Sequence, residues 1–201
     1  DFKKIIEKYI SKGYKFVLIT GGGKTARNYQ NSAKAIVKLT RDDLDWLGIH
    51  ATRINAHLIR TILRDYAYPK IIKNPNEKMS FRNKILIAAG WKPGCSTDYD
   101  AVLIAKNFKI KKLINMSNID YVYDKDPKKF KNAKKIKDIS WKAFRKIVGN
   151  KWDPGLNSPF DPVASKEAEK LKMEVAIING KNLKNFENYL KGEKFIGSVI
   201  K

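Results

Sequence analysis

The sequence contains little of what metal centres and disulfide-bonded domains require. There is one cysteine, Cys95, and there are two histidines, His50 and His57, among 201 residues. A single cysteine excludes an internal disulfide and any metal site built from several cysteines. No apolar run approaches the about 20 residues of a membrane span, and the N-terminal DFKKIIEKYI lacks a signal-peptide core. We therefore expect a cytoplasmic protein with no structural metal and no membrane segment.

Arginine is scarce in an otherwise very basic chain. Only seven of the 42 basic residues are arginine, and the formal net charge is +22. Such a charge is typical of nucleic-acid-binding proteins. However, the lysines are spread over the whole chain, and the sequence has no RNP-type aromatic motif, zinc finger or basic-region heptad. We expect no nucleic-acid partner, and a basic nucleic-acid binder remains an alternative.

Apolar, β-rich runs alternate with helix-like segments along the chain. Strands are predicted at residues 14–20, 69–73, 84–89, 111–117 and 173–179, and helices at about 25–39, 43–66 and 98–107. Because these strands are apolar throughout, they predict a mainly parallel sheet that helices cover on both faces. The predicted fold class is α/β.

Three of the predicted strands are followed by segments rich in glycine, hydroxyl or carboxylate groups. These segments are GGGKTAR (21–27), GWKPGCSTD (90–98) and NIDYVYDKDP (118–127). In open α/β sheets, ligands bind outside the carboxyl ends of the strands. Glycine N–H groups that continue into a helix N-terminus can bind a phosphate. The pattern therefore predicts a phosphate-handling cleft at one edge of the sheet.

Each motif taken alone also has a purely structural interpretation. GGGKTAR lacks the spacing of a P-loop or of GxGxxG, so it also fits a tight strand-to-helix turn. Ser96 or Thr97 can cap a helix, and DKDP fits a β-hairpin turn. Asp161 and Pro162, in FDPVASKEAEKL, fit a helix N-cap followed by proline.

Taken together and in this order, the motifs resemble the amino acid kinase superfamily and, within it, the archaeal-type uridylate (UMP) kinases. The matching segments are GGGKTAR, DWLGIHATRINA, PGCSTDYDA, SNIDYVYDKDP, FDPVASKEAEKL and the C-terminal NLKNF and GEKFIGSVI. The resemblance implies one domain with a three-layer α/β/α sandwich around a mainly parallel central sheet. It further implies that about residues 1–110 bind UMP and about 111–201 bind ATP.

The resemblance also implies a set of site residues. By similarity, Asp45 holds the UMP ribose and residues 91–97 wrap UMP and its phosphate. The implied UMP-binding residues are Gly22, Asp45, Trp91, Lys92, Pro93, Gly94, Cys95, Ser96 and Thr97. The implied ATP-binding residues are Gly23, Arg27, Ser117, Tyr123 and Asp126. The implied catalytic residues, which would organise the charged groups around the transferring phosphoryl, are Asp98 and Asp161.

The implied reaction transfers the ATP γ-phosphoryl to UMP, giving UDP and ADP in pyrimidine nucleotide biosynthesis. Mg²⁺ accompanies ATP, and no metal site of the protein itself is implied. Because the UMP phosphate is already a nucleophile at neutral pH, no general base is required, and catalysis consists of alignment and charge neutralisation. By similarity, the enzyme is a homo-oligomer, either a dimer or a hexamer.

Two departures from the family pattern leave alternatives open. Family members begin with a strand and a Gly-Gly-Ser turn, and we expect that strand to precede Asp1. Archaeal members more often carry histidine and threonine where Cys95 and Ser96 stand. One alternative is a sibling enzyme of the same fold that acts on acetylglutamate, carbamate, aspartate or isopentenyl phosphate. Another is a nucleotide-binding or storage protein without turnover.

Overall fold

A computed structural model describes residues 1–77, 82–127, 129–151 and 158–201. The chain forms two compact units, Asp1–Asn107 and Phe108–Lys201. The boundary lies close to residue 110, where the family resemblance implies a change from the UMP-binding part to the ATP-binding part. Which ligand each unit binds remains a prediction.

The first unit contains four helices and two strands among its described residues. In chain order they are α1 (Phe2–Ser11), β1 (Phe16–Ile19), α2 (Gly23–Lys34), α3 (Arg41–Ile62), β2 (Ile85–Ala88) and α4 (Thr97–Asn107). Strands β1 and β2 pair in parallel, with Phe16 opposite Ile85 and Ile19 opposite Ala88. Their parallel pairing places the carboxyl ends of both strands, and the loops that follow them, at one edge.

Strand β2 lies between β1 and a segment that forms only isolated bridges. Ala67 and Ile72 each make a single parallel bridge to β2. The strand predicted at 69–73 is therefore wrong, because Pro69 has no N–H to donate and interrupts the ladder. All four residues of β2 are buried, whereas those of β1 are half-buried. Within the described residues β1 is an edge strand, which accounts for its greater exposure.

Helix α3 is the longest element, and its start follows from local chemistry. Thr40 and Asp43 form a capping box, in which the Thr40 hydroxyl accepts the Asp43 N–H and the Asp43 carboxylate accepts the Thr40 N–H. The two hydrogen bonds from Thr40 lower the pKa of Asp43. Helix α2 ends at Lys34, five residues before the predicted end, so Ile36 lies beyond the helix and is exposed.

The second unit contains six strands and three helices among its described residues. They are β3 (Lys112–Ser117), β4 (Val122–Tyr123), β5 (Lys135–Ile136), β6 (Asp138–Ile139), α5 (Trp141–Val148), α6 (Pro162–Lys170), β7 (Glu174–Asn179), α7 (Leu183–Lys191) and β8 (Ser198–Ile200). A four-stranded sheet has the order β3-β7-β8-β6, and β4 and β5 form a separate antiparallel hairpin. Strand β7 is central, with its residues from Val175 to Ile178 buried.

The predicted α/β class with mainly parallel strands is confirmed. The pairs β1–β2, β3–β7 and β6–β8 are parallel. Strand β8, which was not predicted, runs antiparallel to β7. Gly197, directly before β8, allows the chain to approach β7 closely, since a Cβ there would lie 2.6 Å from the Ile177 carbonyl oxygen. Across the described part of the chain, no helix is both long and apolar enough to cross a membrane.

Candidate functional site

The glycine turn, residues 21–23, connects β1 to α2. At two of its positions the local structure favours glycine over any other residue. A Cβ on Gly22 would lie 2.7 Å from the Ala26 Cβ and 3.3 Å from the Gly48 carbonyl oxygen, so the turn contacts α3 too closely for any side chain. Gly23 has φ +56°, a conformation that favours glycine. The turn is thus shaped by backbone packing, and it leaves the N-terminus of α2 at the end of β1.

Asn55, on α3, holds the glycine turn in place. Its Nδ2 donates to the carbonyl oxygens of Gly21 at 2.8 Å and Gly22 at 3.3 Å. Its Oδ1 accepts the Thr25 hydroxyl at 3.5 Å. The Gly22 carbonyl also accepts the Ala26 N–H at 3.0 Å, so the turn is fixed both to α3 and to the first turn of α2.

The β2–α4 loop, residues 89–96, is held at its start by side chains of α3 and α4. The Thr52 hydroxyl accepts the Gly90 N–H at 2.8 Å. The Arg53 Nη2 donates to the Trp91 carbonyl oxygen at 3.1 Å, and the Asp100 Oδ2 accepts the Trp91 N–H at 3.0 Å. Both peptide groups of Trp91 are therefore fixed by charged side chains.

The residues implied to bind UMP converge in the first unit. The Asp45 Oδ2 accepts the Gly94 N–H at 2.8 Å, which joins the implied ribose-binding residue to the implied phosphate-binding loop. A Cβ built on Gly21 would lie 4.0 Å from the Thr97 Oγ1. The glycine turn, Asp45 and the β2–α4 loop therefore surround one region, at which the N-termini of α2 and α4 are also found.

The remaining candidates of the first unit occupy the start of α4 and of α2. The Ser96 hydroxyl accepts the Tyr99 N–H at 3.1 Å, which confirms the predicted helix cap. Asp98 lies in the first turn of α4 and is half-buried. The Lys92 ammonium lies 4.2 Å from the centre of the Trp91 ring, and Arg27 is exposed one turn into α2. The loop also contains Pro93 and Cys95, both half-buried.

The second unit contains the other ATP-site candidates. Ser117 ends β3, and its carbonyl oxygen accepts the Gly180 N–H at 2.8 Å, so the loops after β3 and β7 contact each other. Tyr123 belongs to β4, and Asp126 lies in the hairpin formed by β4 and β5. The sequence analysis gave this hairpin as the structural interpretation of DKDP. The buried Ser198 hydroxyl accepts the Val122 N–H at 2.8 Å and donates to the Ile136 carbonyl, which fastens this hairpin to β8.

Asp161 caps α6, as the Asp-Pro sequence predicted. It is 4% exposed, and its Oδ1 accepts the Ala164 N–H at 2.6 Å. The Asn115 side chain, from β3, donates to the Pro159 carbonyl oxygen at 3.1 Å and so fixes the segment that leads to the cap. A carboxylate held this firmly at a helix N-terminus can act as a fixed negative charge.

Four residues of this region were missed by the sequence-based prediction, and they are Thr52, Arg53, Asn55 and Asp100. Asp100 is completely buried, and burial raises its pKa to about 7, while the Trp91 N–H opposes the shift. Thr52, Arg53 and Asn55 are polar residues of a helix that also contributes buried residues to the core, and such a pattern by itself does not distinguish a backbone contact from exposure to solvent. The described ranges contain no cluster of three or more side chains suited to hold a metal ion.

Comparison with known proteins identifies relatives of the whole chain. The amino acid kinase family matches residues 1–179. A protein of Sulfolobus acidocaldarius named uridylate kinase is 34% identical over 203 residues, which cover 98% of this chain and 88% of the relative. The uridylate kinase of Staphylothermus marinus is 36% identical, with 98% and 90% covered.

A solved structure agrees with these relatives. The crystal structure of uridylate kinase from Archaeoglobus fulgidus superposes with a TM-score of 0.84 at 32% identity, covering 100% of this chain and 90% of that one. A family match over most of the chain, relatives above 30% identity and a shared fold all agree. The chain belongs to the amino acid kinase family.

Proposed function

We propose that this protein is a UMP kinase, which transfers the γ-phosphoryl group of ATP to UMP and forms UDP and ADP. The observation that carries the proposal is the convergence of Asp45, the glycine turn and the β2–α4 loop in the first unit. The relatives at 34% and 36% identity and the structure with a TM-score of 0.84 are all uridylate kinases. The residues and the relatives therefore favour the same acceptor.

The chemistry follows from the groups available at this region. The N-termini of α2 and α4 offer backbone N–H groups and positive dipole ends that can bind a phosphate. Asp45, whose Oδ2 already contacts Gly94, is suited to accept hydrogen bonds from ribose hydroxyls. Arg27 offers a fork of donors to a phosphate of ATP. Since phosphoryl transfer needs little covalent help from the protein, these groups act by alignment and charge neutralisation.

Mg²⁺ enters the reaction with ATP, as the MgATP substrate. Mg²⁺ keeps several waters and binds mainly through substrate phosphates in such enzymes, so it needs no dedicated cage of side chains. ATP and UMP are metabolites of the cytoplasm, and we expect the enzyme to act there, in pyrimidine nucleotide biosynthesis.

A kinase panel on the purified protein tests the proposal. With ATP and Mg²⁺, we expect UMP to give UDP and ADP, measured by chromatography. Acetylglutamate, carbamate, aspartate and isopentenyl phosphate should give no phosphorylated product. By calorimetry, UMP should bind with micromolar affinity, and dTMP and AMP should bind much more weakly. Equal affinity for the three nucleotides would refute the UMP assignment, and tight UMP binding without turnover would indicate a nucleotide-binding protein.

The same protein is proposed to be a homo-oligomer, a dimer or a hexamer. Helix α3 carries an apolar stripe at every fourth position, in which each apolar side chain is between 41% and 58% exposed. The α3 stripe consists of Trp46, His50, Ile54, Leu58 and Ile62. Side chains four residues apart form a ridge that packs into the matching groove of another helix. A contiguous exposed apolar patch of this kind is typical of an interface, and a second copy of α3 fits it.

Light scattering on the Leu58→Glu variant tests the oligomer. We expect the wild type to have the mass of a dimer or a multiple of it, and the variant to have a lower mass with its circular dichroism preserved. Ile196→Glu is the matched control, because Ile196 is similarly exposed in the second unit. A monomeric wild type, or a Leu58→Glu variant of unchanged mass, would contradict the proposal.

A further inference from the structure

Trp91 is the first residue of the implied UMP-binding segment, and two charged side chains hold it from opposite ends. Arg53, from α3, donates to its carbonyl oxygen at 3.1 Å and also to the Gly90 carbonyl oxygen at 3.4 Å. Asp100, from α4, accepts its N–H at 3.0 Å. We call this pair the Trp91 clamp. It fixes both peptide planes of the residue at which the chain leaves β2 and enters the loop.

The Trp91 clamp is costly to the fold. Asp100 is 0% exposed, and its Oδ1 is buried with no hydrogen-bond partner among the described residues. The same is true of the Arg53 Nε within the described ranges. Burying charged groups with incomplete hydrogen bonding destabilises a protein. The hydrogen bonds to the Trp91 peptide groups stabilise the fold, and this cost of burial offsets their contribution.

The segment that the Trp91 clamp holds gives a functional reason for Arg53 and Asp100. Residues 91–97 are the segment whose backbone and hydroxyl groups are implied to surround the UMP phosphate. Beyond Trp91 the segment is fixed at Gly94, by the Asp45 carboxylate, and at Ser96, by its cap on α4. Asp45 and Ser96 are themselves implied to bind UMP, whereas Arg53 and Asp100 are not. The clamp therefore holds the segment through side chains that have no implied contact with the ligand. A loop ordered before binding avoids the entropy cost of being ordered by the ligand.

We propose that Arg53 and Asp100 are positioning residues that hold residues 91–97 in the conformation that accepts UMP. This inference rests on the proposed UMP kinase function. Neither side chain needs to touch the nucleotide, because both act through the peptide groups of Trp91.

Binding and kinetics of four variants at pH 8 test the inference, since at that pH the Asp100 carboxyl is largely charged. Asp100→Leu removes the acceptor, and Arg53→Met removes the donors, with little change in size. In each we expect the Kd and KM for UMP to rise about tenfold, as loss of one hydrogen bond to a charged group implies. The KM for ATP and the kcat at saturating UMP should change less than about twofold, because the clamp acts on the acceptor loop only. Asp100→Asn, which keeps an acceptor for the Trp91 N–H, should recover most of the UMP affinity.

The matched controls are Asp65→Leu and Arg64→Met, which make the same chemical changes at exposed positions of the same unit. The double variant Arg53→Met/Asp100→Leu should show a loss smaller than the product of the single losses, because both residues hold one peptide. An unchanged UMP Kd in folded Asp100→Leu would overturn the inference. So would a variant that loses thermal stability while its folded fraction keeps the wild-type KM for UMP.

A measurement without nucleotide separates this inference from the proposed function. Hydrogen exchange of the backbone amides of Trp91, Lys92, Gly94 and Cys95 should be slow in the wild type and faster in Asp100→Leu and Arg53→Met. A wild type that neither binds nor phosphorylates UMP would refute the proposed function, and the inference that depends on it. Unchanged exchange in the variants, with UMP kinase activity present, would refute the clamp alone.

Discussion

The loops at the strand ends are held differently in the two units. In the first unit, three side chains of a single helix, Thr52, Arg53 and Asn55, bind the backbone of both loops that follow β1 and β2. In the second unit, the loops after β3 and β7 contact each other directly, through the Gly180 N–H and the Ser117 carbonyl. The first arrangement fixes the loops to a rigid element. The second joins the two loops to each other.

The hairpin β4–β5 extends this contrast. It has only two residue pairs, and the buried Ser198 hydroxyl provides its contact with β8. Its candidate ligand-binding residues are less buried than those of a core strand, with Tyr123 half-buried and Asp126 exposed. We therefore expect the implied UMP-binding residues to be ordered before binding and the hairpin to become more ordered when ATP binds.

The largest expected effect concerns the two candidate catalytic carboxylates. In the first unit, the Ser96 hydroxyl caps α4 and Asp98 lies in the first turn of that helix, whereas in the second unit Asp161 is itself the cap. We expect Asp98→Asn to lower kcat by roughly 10²-fold or more, the value of one lost electrostatic contact to the transition state. Its melting temperature should barely change. Steady-state kinetics and a thermal melt check both.

Asp161 provides the contrasting pair of variants. Asparagine caps a helix as well as aspartate does, so Asp161→Asn should keep its melting temperature and lose activity. Asp161→Ala should lose activity and also about 1 kcal/mol of stability, because α6 then has no cap. Wild-type turnover in Asp98→Asn would show that Asp98 has no catalytic role. Asp161 would then be the remaining candidate for a catalytic carboxylate.

The next effect concerns Arg27, an implied ATP-site residue that lies in the first unit. We expect Arg27→Ala to raise the KM for ATP or lower kcat by about tenfold, as loss of a charged donor to phosphate implies. UMP binding, measured by calorimetry, should change little. Unchanged kinetics in the folded variant would show that Arg27 is only a surface residue.

Two buried hydroxyls test the comparison between units directly. Thr52→Val leaves the Gly90 N–H without its acceptor, and Ser198→Ala does the same to the Val122 N–H. Each variant should lose about 1–3 kcal/mol of stability, the cost of one unsatisfied buried group. Thr52→Val should raise the KM for UMP, and Ser198→Ala should raise the KM for ATP, each severalfold. If both variants changed the same KM, the division of labour between the units would be wrong.

The last prediction concerns the pH dependence of stability rather than activity. Burial raises the pKa of Asp100 from 3.8 to about 7, so the folded protein binds this proton more tightly than the unfolded chain. The resulting stability is complete below about pH 4 and is lost as the pH rises through about 7. At about 1.4 kcal/mol per pKa unit, the shift sets an upper bound of about 4 kcal/mol. Asp100→Asn removes this contribution, so the melting temperature of the variant minus that of the wild type should increase as the pH rises over this range, and a constant difference would contradict the assignment.

The sequence predicted the elements whose signals are local. The Asp-Pro start of α6 and the apolar run of β2 were both predicted from neighbouring residues, and both were found. The strand at 69–73 failed because Pro69 removes a ladder donor, which its apolar neighbours conceal. Strand β8 was missed because it has three residues and pairs on one side with β6, which is distant in sequence.

The motifs of the candidate site were predicted from the sequence, but the side chains that hold its loops in place were not. Glycine runs and helix caps have sequence signatures, and the resemblance to a known family joined them into one site. The contacts of Arg53 and Asn55 to loops more than 30 residues away have no such signature, because the polar side chains of a helix look the same whether they meet solvent or backbone. The role of Asp100 could not be predicted either, because acidic residues are common in the first turn of a helix such as α4.

Helix α3 imposes a constraint on chain length. Its start is fixed by the capping box at Thr40, and Thr52, Arg53 and Asn55 reach two different loops from fixed positions further along. A helix turns by about 100° with each residue, so a single insertion or deletion between residues 40 and 52 would rotate all three side chains away from their partners together. Substitutions in this stretch can be absorbed one at a time, but a change of length cannot. We therefore expect related proteins to vary in loop length elsewhere and to keep the same number of residues between the cap and these contacts.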